Sequence, residues 1–301
     1  MATPPTSSPA ADWPTNGPAI GPAIGPAIGP AARRPVALVT GAARRIGRAI
    51  TLHLAAHGWD VVLHCRGAAP GRAEAEATAA EARALGATAW VLAADLADEA
   101  ACGALVPAAV AAAGRLHAVV NNASLFDYDS VATFTTASAD RHWRANTAPA
   151  VLLARALHAH LVQRHAENAR GCVINLLDQK LANPNPDYFS YTLSKAALAE
   201  ATVMLAQALA PQLRVCGISP GVTLVSGPMN EAEFTAAHRL TPLQRSSTPD
   251  DIAAAVRFLL ESPAITGHTL LVDGGQHLLG QPRDVLFLAQ QQLAPPPPNE
   301  S

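Results

Sequence analysis

The chain has 301 residues, half of them hydrophobic, and a formal net charge of −2. That is core material for one large α/β domain, and it excludes a whole-surface electrostatic partnership with nucleic acid or an anionic membrane. No apolar run reaches the roughly 18 to 20 residues needed to cross a bilayer, and Cys65, Cys102, Cys172 and Cys216 form no CxxC pair and no zinc-like cluster, so the expectation is a metal-free protein with buried free thiols in a reducing cytoplasm.

Residues 1–33 repeat Gly-Pro-Ala-Ile three times from Gly17 to Ile28. Proline at every fourth position forbids a helix, which predicts an extended, disordered arm and argues against a signal peptide. From 34 to 280 short β-rich runs alternate with alanine-rich helical stretches, the pattern of a single doubly wound parallel sheet with helices on both faces. Strands are predicted at 36–40, 60–64, 88–93, 116–120, 171–176, 214–218 and 269–272. Helices are predicted at 45–56, 72–85, 99–113, 140–165, 188–210 and 249–260. The remainder, 281–301, ends in Pro295-Pro296-Pro297-Pro298 and reads as a Pro-rich, partly disordered tail.

The first strand runs into Thr40-Gly41-Ala42-Ala43-Arg44-Arg45-Ile46-Gly47 and then a helix. Free backbone N–H groups and the positive helix end are thereby placed where a pyrophosphate can sit. Gly41 permits the tight turn and Gly47 the close packing of helix on strand. Arg45 stands where a middle glycine belongs, so its backbone is expected to avoid a glycine-only conformation and its guanidinium to project towards an anionic cofactor or a substrate. The second strand ends Leu63-His64-Cys65-Arg66, without the carboxylate that would bind the ribose hydroxyls of NAD. Arg44 and Arg66 instead suit a ribose 2′-phosphate, which favours NADP. Asp95-Leu96 follows the third strand, where Asp95 can accept from adenine. Asn121-Asn122-Ala123-Ser124 follows the fourth, where the small Ala123 lets a nicotinamide ribose approach.

Tyr191 and Lys195 are four residues apart on one helix face, and Asp178 lies thirteen residues upstream of the tyrosine. An ammonium at that spacing is expected to stabilise tyrosinate and lower a phenol pKa of about 10, making a proton donor for a reductase. Lys180 and Lys195 are the chain's two lysines beside nineteen arginines. Both fall in this stretch, where a compact ammonium serves and a planar guanidinium does not.

The motifs Thr40 to Gly47, Asn121-Asn122-Ala123, Asn146, Tyr191 to Lys195, Ser219-Pro220-Gly221 and Thr266 to Gly275 together resemble the short-chain dehydrogenase/reductases. The resemblance implies a Rossmann-type seven-stranded sheet, assembly as a homo-tetramer or dimer, and hydride transfer to or from a nicotinamide. It implies Tyr191 as acid, Lys195 as its tuner and ribose anchor, and Asn146 as holder of a proton-relay water. Ile46, His64, Leu96, Asn122, Ser124, Pro220 and Gly221 complete the expected cofactor contacts. Asp178 in place of the usual serine, Arg45 in place of glycine, and Asn122-Ala123-Ser124 in place of Asn-Ala-Gly look like the pteridine reductase and dihydromonapterin reductase branch. There Arg45 would help hold cofactor and pterin, Ser124 would contact the ligand, and Phe126 would stack on the pterin.

The chemistry of Asp178 points the same way. An ionised carboxylate opposes the oxyanion that a ketone reductase develops, whereas the 2-amino-pyrimidinone edge of a pterin donates hydrogen bonds to one. Asp178 is therefore expected to bind that edge or to relay a proton through Tyr191, with a flat heterocycle between Phe126 and the nicotinamide. Two other readings stand beside NADPH-dependent reduction of a dihydropterin or dihydrofolate. One is reduction of a different carbonyl or imine on the same scaffold. The other is a non-catalytic NADP-binding regulator, against which the intact Tyr191 and Lys195 argue. The loop 222–244 is expected to cover the small-molecule substrate.

Overall fold

The computed structural model describes residues 34–67, 69–164 and 170–294. The arm at 1–33 and the tetraproline at 295–298 lie outside the described residues. Seven strands, β1 Val36–Val39, β2 Asp60–Cys65, β3 Ala89–Ala93, β4 Ala118–Asn121, β5 Gly171–Leu176, β6 Leu213–Pro220 and β7 Thr269–Val272, form one parallel sheet in the order β3-β2-β1-β4-β5-β6-β7. The chain leaves β3 at one edge and returns beside β1 as β4, so the winding direction switches there and a crevice opens outside the carboxyl ends of β1 and β4. That switch point is the site of interest.

The strands are continuous apolar runs because both faces are covered. Ala37 and Val39 of β1 pack with Ile50 and Leu54 of α1 (Arg45–Ala56), Ala79 of α2 (Gly71–Ala84) and Ile252 and Val256 of α8 (Pro249–Glu261). Val36 and Leu38, pointing the other way, pack with Leu105 of α3 (Glu99–Ala113), Leu153 and Leu157 of α5 (Ala148–Gln163) and Ala206 of α6 (Phe189–Ala208). Leu38, Ile50, Leu54, Leu153 and Leu157 are fully buried, each contributing roughly 1.5–3 kcal/mol of transfer free energy. The framework that carries the crevice is thus clamped from both sides.

Two departures from the sequence pattern shape the crevice. The single helix expected at 140–165 is instead α4 (Thr136–His142), a π turn (Trp143–Thr147) and α5. Pro149, at the start of α5, has no N–H to give the preceding turn, and the wider turn inserts an extra residue that re-aims Asn146. Two helices also lie in segments read as loop or tail: α7 (Glu231–Arg239), within 222–244, and α9 (Val285–Leu293), within 281–301. The first opens on a capping box of Asn230 and Glu233. The second buries Val285, Leu286 and Ala289 against Met229 and Ala237, so this part of the supposed tail is a packed helix. Among the described residues no helix is long and apolar enough to cross a membrane.

Candidate active site

The turn after β1 is built for close backbone approach. Gly41 has φ +63°, and a Cβ there would meet Ala123 Cα at 3.1 Å. A Cβ on Gly47 would lie 2.2 Å from the Gly41 carbonyl oxygen, which no side chain permits. Arg45 corrects the sequence expectation: its φ is +56°, the left-handed region that costs a non-glycine residue roughly 1–2 kcal/mol. Its guanidinium donates to the Val225 carbonyl at 2.8 Å and so joins this turn to the covering loop.

Other members of the expected cofactor set act as scaffolding. His64 accepts from Gly41 N at 3.2 Å through Nδ1, and its Nε2 faces the Ala94 carbonyl at 3.0 Å. Burial lowers its pKa, and the bonding pattern suits a neutral ring protonated on Nε2. Asn122 Nδ2 donates to the Thr40 and Gly41 carbonyls at 2.8 and 3.2 Å, pinning β4 to the turn. Arg44, Arg66, Asp95 and Leu96 line a cleft of about 650 Å³, together with Glu74 from α2. Ile46, Ala123, Ser124, Pro220 and Gly221 line it as well.

Asp178, Tyr191 and Lys195 converge on the same cleft. The Tyr191 hydroxyl donates to Asp178 Oδ2 at 2.8 Å. Lys195 Nζ donates to the Leu176 carbonyl at 2.7 Å and lies 5.7 Å from the Tyr191 ring centroid. The expected lowering of the phenol is reversed: burial first, and then the Asp178 carboxylate, hold the Tyr191 pKa well above 10. Burial pushes the Lys195 ammonium down to about 8, with Asp178 partly opposing. Tyr191 therefore keeps its proton at neutral pH, ready to give it to a more basic acceptor.

Asn146 is brought to the site by the π turn, yet its side-chain amide is fully engaged. Its Oδ1 accepts from Leu125 N at 2.7 Å and Ser124 Oγ at 3.2 Å, and its Nδ2 donates to Leu125 O and Ser194 Oγ, both at 3.0 Å. That side chain fixes the loop after β4 against α6. Phe126 reaches the cleft, but Tyr188 stacks on one face at 4.2 Å and 12°, and Tyr191 meets it edge-on at 4.7 Å. A heterocycle can stack only on the opposite face.

Several contributors escaped sequence reasoning. Tyr188, at φ +51°, starts α6 and supplies the stacked partner of Phe126. Asp129 accepts from Ser190 N at 2.8 Å and from Ser190 Oγ, anchoring the first turn of α6 and hence Tyr191. Gln276, Gln281, Asp284 and Val285, from the C-terminal segment, also line the cleft. No local motif marks these residues, because long-range packing carries them to the site.

Comparison with known proteins identifies relatives of the chain. The family described as enoyl-(acyl carrier protein) reductase matches residues 41–277. The chain is 32% identical to pteridine reductase 1 of Leishmania tarentolae, covering 81% of this chain and 96% of that protein. It is 33% identical to a putative ketoacyl reductase of the granaticin polyketide synthase of Streptomyces violaceoruber, covering 83% and 98%. Among solved structures, FolM alternative dihydrofolate reductase 1 of Brucella canis, complexed with NADP, is 40% identical over 81% of this chain and 95% of that one, with a TM-score of 0.74.

Proposed function

Because this chain belongs to the short-chain dehydrogenase/reductase family and has pteridine reductase among its relatives, we propose that it is an NADPH-dependent reductase of a pterin of the dihydropterin or dihydrofolate type. The observation that carries the reading is the Asp178 carboxylate, 2.8 Å from the Tyr191 hydroxyl. A ketone reductase needs a hydrogen-bond donor there, whereas a pterin presents donors of its own.

The residues fit the cofactor. A turn that tolerates no side chain at Gly47 gives a pyrophosphate access to backbone N–H groups. Arg44 and Arg66 line the cleft and suit a ribose 2′-phosphate. The Brucella canis relative was solved with NADP. When bound, NADPH supplies the hydride; the protein's own groups do the rest. Tyr191, held protonated, donates H⁺ to the ring nitrogen of the reduced C=N unit. Asp178 exchanges the phenol for the amino-pyrimidinone edge and so orients the ring. Lys195 keeps a positive charge beside the phenol as its proton departs.

NADPH oxidation measured with dihydrobiopterin, dihydromonapterin, dihydrofolate and simple ketones tests the reading. Turnover of at least one dihydropterin or dihydrofolate is expected. Turnover of ketones alone would overturn it in favour of a carbonyl reductase, and cofactor binding without any turnover would point to a regulator.

A further inference from the structure

The helix that carries Tyr191 begins without a cap of its own. The N–H groups that open a helix have no partner within it, and Tyr188, which precedes α6 at φ +51°, supplies no capping side chain. Asp129 does so from the loop after β4, 61 positions before Ser190. Its Oδ1 accepts from Ser190 N at 2.8 Å, its Oδ2 from Ser190 Oγ and, at 3.3 Å, from Ser138 Oγ of α4, and its carbonyl from Phe189 N at 3.2 Å. Asp129, Ser138 and Ser190 are all buried. A carboxylate suits the positive end of a helix, and its two oxygens can serve a main-chain and a hydroxyl donor together.

Two groups assigned to the reaction depend on this cap. Tyr191 follows Ser190 directly, and its hydroxyl lies 2.8 Å from Asp178 Oδ2. Phe126 lies three residues before Asp129 in the same loop and stacks on Tyr188 at 4.2 Å, while Tyr128 meets the Tyr188 ring edge-on at 5.1 Å. Cap and ring contacts together hold this loop against the start of α6. The next turn of α6 has separate anchors: Thr147 Oγ1 donates to the Ser194 carbonyl at 2.8 Å, and Lys195 Nζ to the Leu176 carbonyl at 2.7 Å. Loss of the cap therefore frees the phenol and the Phe126 ring while leaving Lys195 and the glycine turn in place.

We infer that Asp129 is a positioning residue for the reaction, a cap supplied from another segment that sets the Tyr191 phenol and the Phe126 ring in register, an inference that rests on Tyr191 as proton donor rather than on the identity of the substrate. The test measures kcat, the NADPH dissociation constant and the solvent isotope effect on kcat, using the full chain and whichever of dihydrobiopterin, dihydrofolate and a simple ketone it reduces, with rates expressed per NADPH-binding site. Asp129→Ala lowers kcat by on the order of 10- to 100-fold. It also raises the solvent isotope effect, because proton transfer from a misplaced phenol becomes slower, and leaves NADPH affinity nearly unchanged. Asp129→Asn, which keeps an acceptor for Ser190 N, restores most of the loss. Ser190→Ala, which deletes the hydroxyl donor and spares the main-chain bond, shows the same signature in smaller measure and carries the test if Asp129→Ala does not fold. A fall in kcat with an unchanged isotope effect, or one shared by NADPH affinity, marks general damage to the fold and overturns the inference, as does full activity in these variants. Absence of turnover of every substrate by the unaltered protein overturns Tyr191 as donor, and the positioning role with it.

Discussion

The Tyr191 hydroxyl points its proton at Asp178 Oδ2 over 2.8 Å, while Lys195, one helical turn further on, gives its ammonium to the Leu176 carbonyl. The phenol is thus stored in its protonated form by an acceptor it can abandon. A ring nitrogen that gains basicity as hydride arrives would replace the carboxylate as the acceptor.

Tyr191→Phe removes the only proton in that hydrogen bond and leaves the glycine turn untouched. Turnover is expected to fall by on the order of 10² or more, with NADPH affinity nearly unchanged. Steady-state kinetics and a cofactor titration check this, and full activity in the variant would assign proton donation to another group. Asp178→Ser should lower pterin turnover and open the site to small ketones, because it restores a neutral donor where an oxyanion would form.

The alkaline limb of the pH profile should belong to lysine. Lys195 titrates at about 8 while the Tyr191 phenol is held well above 10, so kcat/KM is expected to decline as pH rises through about 8, when the ammonium loses its charge. Lys195→Met should lower turnover and abolish that limb. Rates measured from pH 6 to 11 decide it: a decline confined to pH 10 and above would mean that the phenol titrates first.

The sheet was legible because its signals are local and repeated. Continuous apolar strands such as 171–176, separated by helix-length alanine-rich runs, leave little choice of fold. Gly41, Asp178, Tyr191 and Lys195 were legible for a similar reason, since each sits at a strand end or one turn along a helix. The conformation of Arg45 was not, because the turn's geometry overrides the side chain's preference for negative φ. Nor was the phenol's upward shift, because helical spacing places Lys195 on the correct face but does not say that its proton goes to Leu176. The placement of Asp284 in the cleft depends on Arg283 meeting Asp187 across 96 positions, a pairing that no window of sequence contains. The capping box at Asn230 and Glu233 was present in the sequence and would have marked α7.

Arg66 supplies a test of the phosphate end. With no carboxylate at the end of β2 and Arg44 also bordering the cleft, Arg66→Asp should oppose a 2′-phosphate while offering an acceptor to a free ribose hydroxyl. The dissociation constant for NADPH should rise much more than that for NADH, by on the order of tenfold or more for a lost charge-assisted pair. Equal changes for the two cofactors would move the phosphate site elsewhere.

Acid should weaken the fold through His117. Its Nδ1 accepts from Val36 N at 3.0 Å, a bond that needs the neutral ring. Burial, with Arg164, Arg115 and His160 nearby, lowers its pKa from 6.5 to about 4. Between those values the unfolded chain holds a proton that the folded chain does not, so stability rises with pH across this window and is lost as pH falls from 6.5 towards 4. His64 and His238 shift in the same direction and add to the slope. His117→Asn keeps an acceptor for Val36 N and removes the titration, so urea midpoints measured between pH 4 and 7 should vary less steeply in the variant, by up to one proton's worth. Equal slopes would show that the folded imidazole titrates like an exposed one and that the Val36 hydrogen bond does not hold it neutral.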